Sequence, residues 1–188
     1  SVSKGFLGEC GHRGGYFEVR NIPEDVYAQL VKLQSIGLCS NVDGQIVTYL
    51  MVAPPKKGEP SYDLYIRERN GILKELKEKA EILGKGLNQI DGMTCEIPQG
   101  AMYAFVKFEL PHSKSVDVTK MSEKERAAYD SKRDSEYCLA LLEETGICVV
   151  PGSGFGQLPS TMHFRTTFLP PREDIQALVD KMKEFHVN

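Results

Sequence analysis

From residue 60 onward the sequence predicts an α+β fold, with a layer of helices on a mostly antiparallel sheet. Apolar residues recur at helical spacing in three long segments, and shorter segments between them alternate between apolar and polar residues. The resulting order is helix, hairpin, helix, strand, strand, helix. A proline-rich stretch at residues 54–60 separates this part from two shorter helical patterns. We therefore place a domain junction between residues 58 and 59.

The part before the junction is predicted to be glycine-rich at first and helical afterwards. Residues 5–15 contain five glycines and predict a loop, and residues 16–20 alternate like a short strand. Pro23 is predicted to open a helix that Gly37 ends, and a second short helix is predicted at residues 42–52. The expected buried face of the first helix consists of three apolar residues: Val26, Leu30 and Leu33.

After the junction, Ser61 is predicted to cap a long helix. Its apolar stripe consists of Leu73, Leu76, Ala80, Leu83 and Leu87. Residues 94–97 and 101–110 are predicted to form a hairpin around the turn at residues 98–100.

A second helix is predicted from the capping-box pair Ser122 and Glu125 to Thr145, where Gly146 ends it. The first half of this helix is mostly charged, which is typical of a solvated face. A strand is predicted at residues 147–150, followed by a glycine-rich loop that we interpret as a tight turn.

The last strand is predicted at residues 162–168, where apolar and polar residues alternate with period two. Arg165 therefore lies off the main apolar face of the predicted sheet. The closing helix begins at Pro170 and Pro171. Its expected buried residues are Ile175, Leu178, Val179, Met182 and Phe185.

Composition and charge exclude several classes of function. The net charge is −3 and the sequence pI is about 5.9, so neither nucleic acid nor an anionic membrane is expected as a partner. The longest apolar run, residues 46–53, is too short to span a bilayer. The four histidines lack metal-ligand spacing and are expected at the surface or in loops.

Five cysteines form no Cys-x-x-Cys pair, so we expect reduced thiols, a reducing compartment and no metal site. Cys10 and Cys148 are expected to be small buried thiols. The sequence begins on Ser1 with no signal-like segment, which suggests part of a longer protein.

Lys4 is the first candidate for chemistry. An unprotonated lysine amine forms a Schiff base with an aldehyde cofactor when burial or nearby cations lower its pKa. If the glycine-rich loop folds back, Arg13, the hydroxyls of Ser1 and Ser3, and exposed backbone N–H groups could hold a phosphate. The same spacing, Ser-x-x-Lys, also marks β-lactamase-like serine enzymes, but their companion motifs are absent.

Arg165 is the second candidate. An arginine in a strand with apolar neighbours needs a carboxylate partner. That partner is either a structural Asp or Glu or the carboxylate of a ligand.

Longer segments of the chain resemble one known family. The opening run from Ser1 to Tyr16, which contains Lys4 and Arg13, is similar to the cofactor-lysine segment of the alanine aminotransferases. Further matches follow in the same order, and the likeness spans essentially the whole chain. They are Ser40 to Gln45, Gly100 to Phe105, Leu141 to Gly156, and His163-Phe164-Arg165.

The resemblance implies a portion of the α/β type I fold of pyridoxal-phosphate (PLP) transferases and a role for PLP. Lys4 would be the Schiff-base lysine and would move the proton between the substrate's Cα and the cofactor. Ser1, Ser3 and Arg13 would bind the cofactor with it. The implied reaction transfers an amino group between L-alanine and 2-oxoglutarate, giving pyruvate and L-glutamate.

The resemblance also implies that Arg165 clamps the substrate α-carboxylate in a bidentate pair, with Tyr103 and Phe155 near the substrate. The partners would be small amino acids and 2-oxo acids, and the full-length enzyme would be a homodimer. The charged segment 112–133 matches the family less well and receives no role.

Other parts of such a site precede the lysine in this family: an acid opposite the pyridine nitrogen, a stacked aromatic ring and glycine-rich phosphate contacts. We therefore expect residues 1–58 to be the end of the large PLP domain and residues 59–188 to be an α+β C-terminal small domain. The isolated chain should be inactive. The parent is expected in the cytoplasm, with mitochondria as an alternative. A PLP-dependent lyase on the same fold and a non-catalytic binding module stay open.

Overall fold

The computed structural model of the chain describes residues 1–4, 7–110, 120–158 and 161–187. The chain divides into two compact units, Ser1–Ile72 and Leu73–Asn188. The domain junction that the prolines suggest, between residues 58 and 59, stays a prediction.

The first unit contains a 3-10 turn and three helical segments. The turn is Cys10–His12, and the helices are α1 (Glu24–Gln34), α2 (Val42–Val52) and the beginning of α3 (Tyr62–Leu87). The prediction of α2 is confirmed, and its first turn is capped by the Asn41 side chain, which accepts a hydrogen bond from the Gly44 N–H. Helix α1 begins directly after Pro23, as predicted.

Two predictions for the first unit are wrong. Residues 16–20 form no strand, because no other described backbone segment of this unit pairs with them and a strand needs such a partner. Helix α1 buries none of its residues: Val26 and Leu33 are exposed, and Leu30 is only half-buried. The apolar spacing correctly indicates a helix, but the described part of this unit holds nothing that covers its apolar face.

The second unit is built on a four-stranded antiparallel sheet. Its strands are β1 (Met93–Cys95), β2 (Tyr103–Phe108), β3 (Val150–Pro151) and β4 (Met162–Thr167), in the order β1-β2-β4-β3. The predicted hairpin and last strand are confirmed, although β1 begins one residue earlier and ends two residues earlier than predicted, and β2 and β4 are shorter. The strand predicted at 147–150 starts only at Val150. One reason is that the Ile147 N–H donates to Thr145 Oγ1, so the chain is still leaving the preceding helix there.

Helices cover one face of this sheet. They are the second part of α3, α4 (Glu123–Thr145) and α5 (Arg172–Val187). The Ser122–Glu125 capping box and the end of α4 at Gly146, with φ 76°, are as predicted. The largest fully buried side chains of this unit's core are Phe108, Phe164, Phe168, Leu83, Leu87, Leu141, Ile175 and Met182. Leu73 of the predicted stripe is exposed.

Alternation along β2 and β4 places different chemistry on the two faces of the sheet. Val106 and Phe164 belong to the buried face, whereas Tyr103, Phe105 and Arg165 lie on the more open one. The prediction that Arg165 lies off the main apolar face is therefore confirmed. Within the described ranges, no helix combines the length and the apolar character needed to cross a membrane.

Candidate functional site

The glycine-rich loop folds back onto the start of the chain. The Val2 N–H donates to the Gly14 carbonyl at 3.1 Å, and the Glu9 N–H donates to the Val2 carbonyl at 2.9 Å. A Cβ on Gly15 would lie 3.2 Å from Cα of Ser1. The proposed phosphate site requires the glycine-rich loop to fold back toward Ser1, and the structure shows that it does.

Glycines let the same loop lie directly on α2. A Cβ on Gly14 would collide with the Gly44 carbonyl oxygen and come within 2.7 Å of Thr48 Oγ1. A Cβ on Gly44 would lie 2.6 Å from the His12 carbonyl oxygen. Asn41 Nδ2 also donates to the Arg13 carbonyl at 3.4 Å. The loop is thus fixed against the first turns of α2.

A cavity of about 580 Å³ opens between the loop and α2. It is lined by Arg13, Gly14, Gly15, Tyr16, Ser40, Asn41, Gly44, Gln45, Thr48, Tyr49 and Val52. Arg13 Nη1 donates to the Cys10 carbonyl at 2.7 Å, and among the residues that the structure describes no other acceptor engages the remaining guanidinium N–H groups. Ser1 Oγ and Ser3 Oγ lie 2.8 Å apart, but neither serine is among the residues that line this cavity. Arginine N–H groups, hydroxyls and a glycine backbone are donors that suit a phosphate group.

Lys4 is exposed, and it makes no hydrogen bond or ion pair with the residues that the structure describes. The burial that favours a neutral lysine amine is therefore not supplied by the described part of this unit. The role of Lys4 stays a prediction, as do the cofactor contacts of Ser1, Ser3 and Arg13.

Arg165 lies on β4 among aromatic side chains of the second unit. Its Cζ is 4.6 Å from the ring centroid of Tyr103 and 4.6 Å from that of Phe155. Phe105 is its direct cross-strand partner on β2, and Val150 is its partner on β3. Among the described residues its guanidinium has no carboxylate partner and no hydrogen-bond acceptor. This arrangement leaves the N–H groups of the planar Arg165 guanidinium to bind a ligand carboxylate.

The structure contains a buried polar network close to Arg165 that the sequence did not predict. Asp134 of α4 is fully buried, and its carboxylate accepts from the Ser153 N–H at 2.8 Å, from Ser153 Oγ at 3.1 Å and from Gln157 Nε2 at 2.9 Å. Gln157 Oε1 lies 2.9 Å from His163 Nδ1. One feature of the sequence could have predicted that Asp134 is buried. It precedes Leu141 by seven residues and therefore lies on the same apolar stripe of the helix.

Two histidines contradict the expectation of surface or loop positions. His163 lies in β4 and is half-buried, and desolvation together with the charge of Lys107 lowers its pKa. His186 is buried, and desolvation lowers its pKa more than Asp91 raises it. The signal for His186 was its position four residues after Met182 on the apolar stripe of α5.

All five cysteines are free. Cys10 and Cys148 are exposed, which corrects the expectation that they are buried. Cys95 and Cys138 are buried. Burial and the nearby charge of Asp134 raise the pKa of Cys138 to about 12. Within the described residues, no cluster of three His, Cys, Asp or Glu side chains could hold a metal ion.

The chain is similar to aminotransferases in sequence and in structure. The profile of the family "Aminotransferase class I and II" matches residues 1–182. A probable mitochondrial alanine aminotransferase of Dictyostelium discoideum is 52% identical over 186 residues, which are 99% of this chain and 33% of that protein. Glutamate–glyoxylate aminotransferase 2 of Arabidopsis thaliana is 45% identical, over 99% of this chain and 37% of its own length.

Among solved structures, an alanine aminotransferase from Pyrococcus furiosus superimposes with a TM-score of 0.61 and 29% identity. The match covers 87% of this chain and 34% of that one. The chain thus spans about a third of the length of the relatives it matches. Class I and II aminotransferases depend on PLP. The chain belongs to the class I and II aminotransferase family, and its fold is a portion of the type I fold of PLP-dependent aminotransferases.

Proposed function

We propose that this chain is the C-terminal part of a PLP-dependent transaminase that interconverts L-alanine and 2-oxoglutarate with pyruvate and L-glutamate. The observation that carries the proposal is the guanidinium of Arg165, which lies over the rings of Tyr103 and Phe155 and lacks a carboxylate partner among the described residues. A permanently charged planar fork of this kind binds a carboxylate in a bidentate pair. The names of the relatives support alanine as the amino donor.

The first unit would hold the cofactor. Arg13 and the hydroxyls of Ser1 and Ser3 would bind its phosphate, and Lys4 would bind its aldehyde carbon. When bound, PLP supplies an electron sink for the substrate's Cα. The amine of Lys4, once released, would take the proton from the substrate's Cα and deliver it to the cofactor's C4′.

The remaining two thirds of a relative's length would complete the enzyme. Several apolar side chains of the first unit are more than half exposed, which is consistent with a surface that further polypeptide covers: Tyr16, Phe17, Leu33, Ile46 and Tyr49. We propose that the isolated chain has no turnover and that the complete enzyme is a homodimer. A cytoplasmic location is proposed, with mitochondria as the alternative because the Dictyostelium relative is named mitochondrial.

The test compares the 188-residue chain with the complete gene product that contains it. Each is mixed with PLP, L-alanine and 2-oxoglutarate, and pyruvate is measured by coupling to lactate dehydrogenase. The complete product should form pyruvate, and Lys4→Ala should abolish turnover. Lys32→Ala, an exposed lysine of α1, is the matched control and should retain it. Turnover by the isolated chain, or by the Lys4→Ala product, would contradict the proposal.

Product analysis separates the alternatives. A transaminase forms pyruvate and L-glutamate in equal amounts and needs the 2-oxo acid, whereas a lyase releases its product without an amino acceptor. Replacing 2-oxoglutarate with glyoxylate tests the acceptor that the Arabidopsis relative's name suggests. A non-catalytic binding module would give no product in any mixture.

A further inference from the structure

The loop at residues 152–157 provides most of the hydrogen-bond donors to the buried carboxylate of Asp134. Its oxygens accept from the Ser153 N–H and Oγ and from Gln157 Nε2, and Ser135 Oγ lies 3.4 Å away. No cation pairs with this carboxylate among the described residues. A buried carboxylate is stable only when donors of this kind satisfy it, so the loop and α4 are held in one relative position.

The 3-10 turn Gly152–Phe155 is the part of the loop that this carboxylate fixes. Gly152 allows the turn to lie against β4, because a Cβ there would meet Gln157 Oε1 at 2.5 Å and His163 Cβ at 2.6 Å. Phe155 is the last residue of the turn, and its ring contacts Arg165. Since the side chain of Phe155 is 45% exposed, burial alone does not hold it in place. Its position depends on the turn.

A second connection runs from Asp134 through Gln157 to His163. Gln157 uses its amide N–H to reach Asp134, so the atom facing His163 Nδ1 is the amide oxygen, which can only accept. The ring of His163 therefore carries its proton on Nδ1, and its lowered pKa keeps it neutral near pH 7. This assigns one tautomer and one orientation to the imidazole.

The His163 ring also contacts the aromatic side chains around Arg165, so its fixed orientation restricts theirs. It stacks on Phe105 with centroids 4.8 Å apart and an interplanar angle of 10°. Phe105 in turn meets the ring of Phe155 edge to face at 5.7 Å. Both routes from Asp134 thus end at Phe155, one through the backbone of the turn and one through stacked rings.

We propose that Asp134 is a positioning residue for the carboxylate site. Acting through Ser153, Gln157 and His163, it holds the ring of Phe155 against the guanidinium of Arg165. The fork is thereby kept in the orientation that receives a carboxylate. The inference rests on the proposed function, because it assumes that Arg165 binds the carboxylate of a substrate.

The test measures carboxylate binding at Arg165 in the 188-residue chain without using turnover. Phenylglyoxal modifies accessible guanidinium groups, and mass spectrometry reports the modified fraction of each arginine. Arg172, exposed on α5, is the internal reference. In the unaltered chain, 2-oxoglutarate should protect Arg165 and leave Arg172 unprotected.

Asp134→Asn places an amide N–H against donors that need an acceptor, and it should raise the half-protecting concentration of 2-oxoglutarate roughly tenfold. Asp180→Asn makes the same chemical change on the exposed face of α5 and should leave that concentration unchanged. If Asp134→Asn does not fold, Gln157→Met decides. It leaves the Asp134 carboxylate bonded to Ser153, removes the bridge from Asp134 through Gln157 to His163, and should also raise the half-protecting concentration.

The outcomes separate the two ideas. If 2-oxoglutarate fails to protect Arg165 in the unaltered chain, the proposed carboxylate role of Arg165 is wrong, and the positioning role fails with it. If protection occurs but neither variant changes its concentration dependence, Asp134 is merely structural, even where the melting temperature falls. Only a shift specific to Arg165 supports the positioning role.

Discussion

The hydroxyl of Tyr137 in α4 lies 3.0 Å from Nδ1 of His186 near the end of α5. Both side chains are buried, and their rings also meet edge to face at 5.8 Å. This contact joins α4 and α5, two of the three helices that cover the sheet. Because His186 is held neutral by desolvation, the contact is sensitive to acid.

We expect the second unit to lose stability as the pH falls below the ordinary histidine value. The pKa of His186 is lower in the folded chain, so the unfolded chain takes up the proton first. The stability present above about pH 6.5 is lost as the pH falls through the folded pKa. Urea unfolding at several pH values would measure this. His163, whose pKa is also lowered, contributes in the same direction, so His186→Gln should flatten the dependence only in part. An unchanged slope in His186→Gln would contradict the assignment.

Two glycines of α3 should respond oppositely to alanine. A Cβ on Gly86 would lie 2.7 Å from Val179 Cγ1 of α5, so Gly86→Ala should cost about 1–3 kcal/mol of unfolding free energy. A Cβ on Gly71 would meet no described atom within 4 Å beyond the backbone of its own helix, so Gly71→Ala should stabilise α3 by about 0.5–1 kcal/mol. Denaturant unfolding monitored by circular dichroism checks both. Equal effects would mean that α3 and α5 do not approach as closely as described.

Local sequence patterns predicted the second unit well because its helices and strands cover one another's apolar faces. The capping box at Ser122, the period-two alternation around Arg165 and the apolar stripe of α5 all correspond to observed structure. The first unit differs because its helices display the spacing of buried elements, whereas the part of this unit that the structure describes contains no element that would bury them. Leu33 is 64% exposed on α1, although its spacing predicts a core residue. A pattern reports which face is apolar, and only the surrounding chain decides whether that face is covered.

This contrast predicts the effect of truncating two leucines in the isolated chain. Leu83 is fully buried, so Leu83→Ala should cost about 2–5 kcal/mol. Leu33→Ala should change the unfolding free energy by no more than about 0.5 kcal/mol. Urea unfolding of both variants gives the comparison. A large loss for Leu33→Ala would show that α1 is packed in the isolated chain after all.

Thiol reactivity should divide the cysteines into two groups. Cys10, Cys39 and Cys148 are exposed and should react with Ellman's reagent in the folded chain. Cys95 and Cys138 should react only after unfolding, because they are buried and burial raises both pKa values. Timed mass spectrometry of the labelled chain identifies each site. Rapid labelling of Cys138 without denaturant would be incompatible with the described core.

The candidate site was only partly predictable for a related reason. Lys4, Arg13 and Arg165 carry chemistry that residue type and resemblance point to, whereas Asp134 matters through its place in the fold. Its neighbours in sequence are charged, a pattern that is typical of a solvated segment. Only the tertiary structure shows that Ser153 and Gln157 come from a distant loop to satisfy its carboxylate.

The geometry of the arginine fork should matter more than its charge. Arg165→Lys keeps a cation on β4 but loses the planar pair of N–H donors and the contact with two rings. In the complete gene product, we expect kcat/KM for L-alanine to fall by about 100-fold, equivalent to losing about 3 kcal/mol of charge-assisted hydrogen bonding. Arg172→Lys, which changes an exposed arginine paired with Glu78, should leave kcat/KM within about twofold of the unaltered enzyme. If Arg165→Lys retained full activity, a point charge would suffice at this position, and the stacked guanidinium could not be the feature that selects carboxylate substrates.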